Sequence, residues 1–315
     1  MSGSQPIPDR PEPLAKELAS LVSADTLVRC REPLARRTTL RVGGPADIYV
    51  EPAAERDLGA VVRFCRAHAL ALFVLGRGSN LLVRDGGFRG VVVCMNQPAF
   101  AGIEVIPPLL HCGAGARLKA VAAEARRQGL AGLEFLEGIP GAVGGALRMN
   151  AGAMGGSIFD AVESVRLMEE DGKVRERRGA EMGAVYRSCA ALKTRIVLSA
   201  VLRGRPDSPE RIAERMNEFS QKRWRTQPAA SSAGCAFKNP RTIPAGKLIE
   251  ELGLKGLRVG GASVSLEHAN FIVNDGRATA RDVLDLIALI QQLARARRGI
   301  ELESEVEIIG NEPEQ

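Results

Sequence analysis

Two glycine-rich stretches carry the residue types that hold a ligand through backbone contacts. The first, Gly76-Arg77-Gly78-Ser79-Asn80, lies between the apolar runs Leu72–Leu75 and Leu81–Val83. It is similar to the GxGxxG dinucleotide fingerprint, but Leu81 replaces the third glycine and a strand-like run comes next where a helix should start. A Rossmann pyrophosphate site needs strand, loop and helix N-terminus in succession, so that chemistry is excluded by context. A plain tight turn and a phosphate-cradling nest of backbone N–H groups both remain open. The second stretch runs Gly138-Ile139-Pro140-Gly141-Ala142-Val143-Gly144-Gly145-Ala146 and continues to Asn150. Glycine recurs there at 138, 141, 144 and 145, more often than turn-making requires, which favours a backbone left bare for a ligand.

Side chains capable of proton or metal chemistry are sparser. The run Leu302 to Ile309 alternates, with Glu303, Glu305 and Glu307 on one face and Leu302, Val306 and Ile308 on the other. By residue type alone this is the solvated acidic face of a half-buried strand. The cysteines Cys30, Cys65, Cys94, Cys112, Cys189 and Cys235 are scattered without a CxxC pair, so free thiols in a reducing cytosol are expected. His68, His111 and His268 are too far apart for a local ligand motif, and no metal is expected.

The elements that must position these residues can be read from periodicity. Short β-rich runs at Ile48–Val50, Leu72–Leu75, Leu81–Val83 and Val91–Cys94 alternate with a helical pattern at Leu58, Val61, Val62 and Cys65. A second helix is predicted over Leu118 to Gln128, stopped by Gly129. Ile196 to Leu202 reads as a buried strand. After it, Ser208 caps and Pro209 begins a helix with Ile212, Met216 and Phe219 inward. The last helix opens on Thr279 and Asp282, carries the stripe Val283, Leu286, Ile287, Ile290 and Leu293, and ends at Gly299 before the strand 302–309. Residues 1–25 mix prolines with a short amphipathic piece (Leu14, Leu18, Leu21) and are expected to wrap loosely on the surface.

A chain of 315 residues, 45% apolar and 25% charged, is long enough for two domains with real cores, and disordered, collagen-like and coiled-coil classes are excluded. The division expected is an N-terminal extension 1–29, a ligand-binding domain 30–205 of two subdomains, and a C-terminal domain 206–315. Interspersed charges summing to +6 suit anionic small ligands, while 4% aromatics leave little material for base stacking, so nucleic acid is not an expected partner. No apolar run approaches the roughly 18 residues of a membrane span, and no protein partner can be named.

The two glycine loops, read with Thr39-Leu40-Arg41-Val42-Gly43-Gly44, the stretch GLEFLEGIPGAVGGALRMNAGAMGG and SAGCAFKNP, resemble the UDP-N-acetylenolpyruvoylglucosamine reductase (MurB) family over about residues 30–310. The 48 residues from Arg187 to Cys235 resemble its shorter subtype, which lacks a tyrosine-bearing insertion. The resemblance implies an α+β fold: a vanillyl-alcohol-oxidase-like FAD-binding domain of two subdomains plus a C-terminal α+β substrate-binding domain. It also implies a cytoplasmic oxidoreductase of peptidoglycan precursor synthesis, with non-covalent FAD and NADPH as co-substrate. Hydride would pass from NADPH to flavin and then to the enolpyruvyl ether of UDP-N-acetylglucosamine, giving UDP-N-acetylmuramate. Gly76, Gly78, Ser79, Asn80, Gly113, Gly138, Ile139, Pro140, Gly145 and Asn150 are the implied FAD contacts.

The catalytic residues implied are Arg187, Cys235 and Glu305. Arg187 stands in Tyr186-Arg187-Ser188-Cys189, where Cys189 replaces the family's serine, and an arginine fork suits a carboxylate. Cys235, in Gly234-Cys235-Ala236-Phe237-Lys238-Asn239-Pro240, takes the place of a proton-donating serine. A thiol of ordinary pKa, about 8.5, is mostly protonated at neutral pH and is a stronger acid than an alcohol. Glu305 matches the glutamate of the Leu-x-x-Glu-Val stretch. Tyr186, Arg223, Lys238 and Asn239 are the implied substrate contacts; Lys247 and His268 also stand in matching stretches, His268 reading as a buried structural residue. Another flavin oxidase of the same fold and a non-catalytic flavin or sugar-nucleotide module are the rival functions.

Overall fold

Helix ends form where the capping chemistry is written. The Thr279 hydroxyl accepts the Asp282 N–H at 3.1 Å and the Asp282 carboxylate accepts the Thr279 N–H at 3.0 Å, a reciprocal box that starts the helix Ala280–Arg298. Gly299 closes it at φ 64°, in the left-handed region open to glycine. Leu118–Arg127 is likewise helical, with Gly129 at φ 64° behind it. The Ser208 hydroxyl accepts the Arg211 N–H at 3.3 Å ahead of the helix Pro209–Thr226, in which Ile212 and Met216 are buried.

The computed structural model describes residues 11–313, which form two compact units. One comprises the described residues to Arg31 together with Asp47–Arg77 and Gly90–Lys222; the other comprises Glu32–Ala46, Gly78–Arg89 and the described residues from Arg223. The expected division cut the chain after residues 29 and 205. Here each unit is instead discontinuous, and the last crossing lies within the helix Pro209–Thr226. Residues 1–10 of the expected N-terminal extension lie outside the described residues. The part after them is a helix, Glu12–Ser20, whose Ala15 and Leu18 are buried, so it is docked rather than loosely wrapped. Leu21, expected on the same apolar face, is exposed because the helix has ended.

The first unit is built on two larger sheets. One orders the strands Leu27–Pro33, Pro45–Glu51, Phe88–Cys94 and Leu72–Leu75, and the last two run parallel. The helix Glu55–Ala67 packs on this sheet through Leu58, Val61, Phe64 and Cys65. The other is antiparallel, in the order Val174–Arg178, Val162–Met168, Ile196–Arg203, Leu109–Gly113 and Ile103–Ile106. Its core gathers Leu110, Leu118, Val121, Val143, Leu147 and Leu202.

In the second unit an antiparallel sheet orders Ser231–Cys235, Phe271–Asn274, Ala262–Val264 and Arg258–Val259. The apolar stripe of Ala280–Arg298 shares its core with Leu40, Val42, Leu82 and Phe237. The strand expected over 302–309 is shorter, Glu307–Ile309, and pairs in parallel with Leu81–Val83. Upstream of it Ser304 bridges Phe237 instead. Leu302 and Val306 are buried and Glu303 is exposed, as the alternation predicts.

Candidate active site

The first unit holds a cleft of about 1250 Å³, larger than the roughly 300–1,000 Å³ typical of small-ligand pockets. Its walls are the strand Leu72–Leu75 with Gly76, the turn at Ala114 and Gly115, and Ala142, Gly144 and Gly145. Six cationic side chains line it (Arg66, Arg148, Arg175, Arg177, Lys193, Arg195) against three carboxylates, a balance suited to an anionic ligand. Glu169 is shared by Arg195 at 2.6 Å, Arg177 at 3.8 Å and Arg175 at 3.9 Å. The Nε of Arg177 is buried without a hydrogen-bond partner, a donor that a ligand oxygen would satisfy.

The cleft glycines separate into two kinds. A Cβ added to Gly76 or Gly145 would meet nothing within 4 Å, and neither has a left-handed φ, so nothing in the surrounding chain requires glycine there. Both leave side-chain room inside the cleft, a cradle that fits a dinucleotide cofactor approaching the backbone. Gly115 is demanded by the protein, since a Cβ would lie 1.9 Å from the Met95 carbonyl oxygen, while at Gly144 a Cβ would lie 3.2 Å from that of Ala114, a tight contact that asks the neighbour to give. The Val143 and Gly144 N–H groups donate to the Ala116 and Ala114 carbonyls at 3.0 and 2.8 Å, so those two amides of the second loop are spent on its own fold.

Of the expected flavin contacts in this unit, Gly76 and Gly145 line the cleft. Gly113 stands one residue before the lining pair Ala114–Gly115, and a Cβ on it would lie 2.1 Å from the Phe100 carbonyl oxygen. Gly138 ends a 3₁₀ turn, Ile139 packs on the core and Pro140 is exposed. Gly144, also on the wall, belongs to the loop read as bare backbone for a ligand, whereas sequence reasoning missed Gly115 and the arginines of the rim. Gly115, in Gly113-Ala114-Gly115, is a second glycine beside the expected one; the arginines come from two helices, one strand and a loop far apart in sequence and give no local signal.

Arg187 occupies the turn of a two-residue hairpin between Ala184–Val185 and Ser188–Cys189. Its φ is 57°, a conformation that costs a non-glycine residue about 1–2 kcal/mol. Its Nη1 donates to the Gly152 carbonyl at 3.3 Å and its guanidinium lies 5.1 Å from the Tyr186 ring centroid. Asn150, itself at φ 43°, donates from Nδ2 to the Val185 carbonyl at 3.1 Å. The expected flavin contact Asn150 therefore braces the hairpin that carries Arg187 and Tyr186. Cys189 is buried, its thiol donating to the Met182 carbonyl at 3.4 Å, so it anchors the hairpin to the core.

The second unit brings Cys235 and Glu305 onto adjoining backbones. Cys235 ends the strand Ser231–Cys235, where Ser232 pairs with Val273 and Cys235 with Phe271, one residue more on its side than on the partner's. This bulge, with Gly234 at φ 77°, redirects the strand at the cysteine. The Glu305 N–H donates to the Ala236 carbonyl at 2.8 Å, and the Lys238 N–H to the Glu303 carbonyl at 2.9 Å. Asn270, buried, receives the Phe237 N–H on Oδ1 at 3.0 Å and donates from Nδ2 to the Phe237 carbonyl at 2.8 Å, fixing the segment after Cys235.

Among the other expected residues of this unit, Lys238 forms an ion pair with Glu303. The Asn239 Oδ1 accepts the Ala245 N–H at 3.0 Å, at the start of the helix Ala245–Glu251. Arg223 is half-buried, and burial pulls its guanidinium below the ordinary arginine range. His268 accepts the Asn270 N–H on Nδ1 at 3.2 Å and meets Phe271 edge-on. Burial lowers its pKa, which fits a neutral structural histidine. Lys247 lies 3.9 Å from Glu251 on the helix surface. Gly78, Ser79 and Asn80 also belong to this unit; a Cβ on Gly78 would lie 2.4 Å from the Arg37 carbonyl oxygen, so this glycine is required by packing and by its φ of 60°. Among the described residues no group of three or more His, Cys, Asp or Glu is placed to hold a metal ion, and no helix is long and apolar enough to cross a membrane.

Comparison with known proteins agrees with these parts. Residues 46–177 match the family model of an FAD binding domain, and residues 227–309 match that of the UDP-N-acetylenolpyruvoylglucosamine reductase C-terminal domain. UDP-N-acetylenolpyruvoylglucosamine reductase 2 of Symbiobacterium thermophilum is 43% identical over 96% of this chain and 98% of its own. The reductase of Heliobacterium modesticaldum is 44% identical over 89% of this chain and 90% of its own. The crystal structure of the reductase from Thermus caldophilus superposes with a TM-score of 0.76 at 40% identity, covering 90% of this chain and 98% of that one. The α+β reading, an FAD-binding domain followed by a distinct C-terminal domain, is thereby borne out. With identity of this order over nearly the full length of its relatives, the chain belongs to the UDP-N-acetylenolpyruvoylglucosamine reductase family.

Proposed function

We propose that this chain reduces UDP-N-acetylglucosamine enolpyruvate to UDP-N-acetylmuramate in the cytoplasm, as a step of peptidoglycan precursor synthesis. NADPH is the reductant and FAD the non-covalent carrier. When bound, FAD supplies the chemistry of accepting hydride from NADPH and yielding it to the substrate double bond. Gly76 and Gly145 are the residues of the cleft that would admit it, because their missing Cβ atoms leave space that no protein atom fills.

The chain's own part is charge and proton handling. Hydride added to the terminal carbon of the enolpyruvyl group leaves negative charge at the carbon bearing the carboxylate. Arg187 is given the task of holding that carboxylate, its strained turn and the Asn150 brace presenting the guanidinium in a fixed place. Cys235 delivers a proton from its thiol to the charged carbon and regains one from solvent. Glu305 is assigned with Arg187 to stabilising the same developing charge. Lys238, Asn239, Arg223 and Tyr186 are assigned to the nucleotide. Lys238 would have to share its ammonium with Glu303, and Asn239 is left its Nδ2, its Oδ1 being held by Ala245.

The single observation that carries this reading is the hydrogen bond from the Glu305 N–H to the Ala236 carbonyl, which ties the proposed acid to the residue after the proposed proton donor. The visible spectrum of the purified protein tests it. The protein should be yellow, bleach with NADPH and regain colour anaerobically when the enolpyruvyl nucleotide is added. A protein that stays colourless after incubation with FAD would sink the reading. Bleaching without nucleotide-dependent recovery would assign it to another flavin oxidoreductase.

A further inference from the structure

Asn80 ends the first glycine loop, where the family resemblance makes it a flavin contact, yet its side chain is engaged elsewhere. Its Nδ2 donates to the Glu305 carbonyl at 3.0 Å across 225 residues of sequence. Its own carbonyl accepts the Glu307 N–H at 3.1 Å. With the Glu305 N–H on the Ala236 carbonyl at 2.8 Å, both main-chain polar groups of Glu305 are fixed, one by the residue after Cys235 and the other by the loop.

The loop is anchored in its turn. The Thr39 N–H donates to the Gly78 carbonyl at 3.1 Å, and the Thr39 hydroxyl donates to the Ser232 carbonyl at 2.7 Å on the strand that ends at Cys235. The bonds close a circuit from loop to Cys235 strand to Glu305 and back. Two links of that circuit are made by side chains, the Thr39 hydroxyl and the Asn80 amide, and the amide can be removed without cutting the main-chain ladder: Glu307, Ile308 and Ile309 stay registered on Leu81, Leu82 and Val83.

We propose that Asn80 is a positioning residue for Glu305: its amide holds the peptide from which the glutamate side chain projects, and so couples the order of the glycine loop to the placement of the proposed acid. The inference rests on the function proposed above. It gives Asn80 a role in the substrate half-reaction rather than in holding the flavin. A side chain placed about 1 Å off its productive position can cost on the order of 100-fold in rate. Loss of one of several restraints on Glu305 should therefore slow that half-reaction by about 10- to 100-fold.

The test compares Asn80→Ala and the isosteric Asn80→Asp with the unmodified protein in three measurements. Stopped-flow absorbance should show flavin reduction by NADPH, and FAD affinity from a fluorescence titration, within about threefold of wild type in both variants. Reoxidation of the reduced enzyme by the enolpyruvyl nucleotide should slow about 10- to 100-fold. In Asn80→Asp that deficit, taken as a ratio to wild type at each pH, should shrink as pH falls, because a protonated carboxyl can again donate to the Glu305 carbonyl. Amide hydrogen exchange on the FAD-free protein reads the clasp without turnover: Glu305 N–H should lose protection in both variants. A parallel fall of FAD affinity and flavin reduction, with reoxidation spared, would return Asn80 to the flavin. Unchanged exchange at Glu305 would also overturn the proposal. If the unmodified protein fails to reoxidise with the nucleotide, the proposed function falls, and the exchange measurement still decides whether Asn80 holds Glu305.

Discussion

Adjacent glycines of the second loop should respond to alanine in opposite ways. Gly145 lies in the short helix Val143–Arg148 and an added Cβ meets no atom within 4 Å. Alanine there removes glycine's excess backbone entropy, so the FAD-free protein should gain about 0.5–1 kcal/mol. The methyl group projects into the cleft, where it takes room from the cofactor. A tenfold rise in the FAD dissociation constant, equivalent to about 1.4 kcal/mol, is the expected scale. Gly144→Ala instead sets a Cβ 3.2 Å from that of Ala114 and 3.3 Å from its carbonyl oxygen, which calls for a small shift of backbone. Overpacking of that kind costs about 1–3 kcal/mol of stability. Gly78→Ala is harsher, with a Cβ 2.4 Å from the Arg37 carbonyl oxygen and a φ of 60°. The steric conflict and the left-handed backbone together should cost about 2–5 kcal/mol. Denaturant unfolding of FAD-free protein and titration with FAD followed by flavin fluorescence give the two axes. Stability should order Gly145→Ala at or above wild type, then Gly144→Ala, then Gly78→Ala. Gly145→Ala binding FAD as tightly as wild type would mean that the bare backbone of the cleft is not where the cofactor lies.

Three further outcomes are expected. Arg187→Met and Glu305→Gln should leave flavin bleaching by NADPH nearly intact while slowing reoxidation by the enolpyruvyl nucleotide about 10²–10³-fold; an equal loss in both phases, read by stopped-flow, would point to damaged folding. Cys235→Ser should retain appreciable turnover, because a hydroxyl can still pass a proton, whereas Cys235→Ala should bleach normally and recover colour very slowly; near wild-type turnover of the alanine variant would move the proton donor elsewhere. The Thr279 N–H bond, with help from Gly261 and the Thr279 hydroxyl and against burial, holds the Asp282 carboxyl below its ordinary 3.8. Its stabilisation is full above the unfolded-state pKa and is lost as pH falls through the lower folded value. Asp282→Asn keeps an acceptor oxygen but loses the charge at the helix start and should cost about 0.3–1 kcal/mol at pH 7, with the gap to wild type closing in acid unfolding curves below about pH 4; a gap unchanged at pH 2 would refute the assignment.

Local chemistry explains which parts of the molecule could be read from the chain and which could not. Thr279, Asp282, Gly299, Ser208 and Gly129 set helix ends through bonds to neighbours in sequence, and every one of those ends lies where these residues place it. A Rossmann loop at Gly76–Asn80 is excluded by the strand-like run after Asn80, and Leu81–Val83 is indeed a strand. The motifs around Cys235 and Glu305 were legible as text, but their joining was not. The discontinuous units depend on partners hundreds of residues apart: Asn274 Nδ2 donates to the Leu40 carbonyl at 2.9 Å, and Asp85 accepts the Ala280 and Arg281 N–H groups at 2.8 and 2.9 Å. No hydrophobic period encodes such a pairing. The C-terminal run shows the same limit within eight residues. Its alternation fits one strand from 302 to 309, yet Glu303–Glu305 pair with the segment after Cys235, while Glu307–Ile309 pair with Leu81–Val83. Alternation states which side chains face the core and is silent on which backbone lies alongside. The change of partner falls at Val306, and it leaves Glu305 between the Cys235 segment and the glycine loop, in a position that neither stretch of sequence reveals by itself.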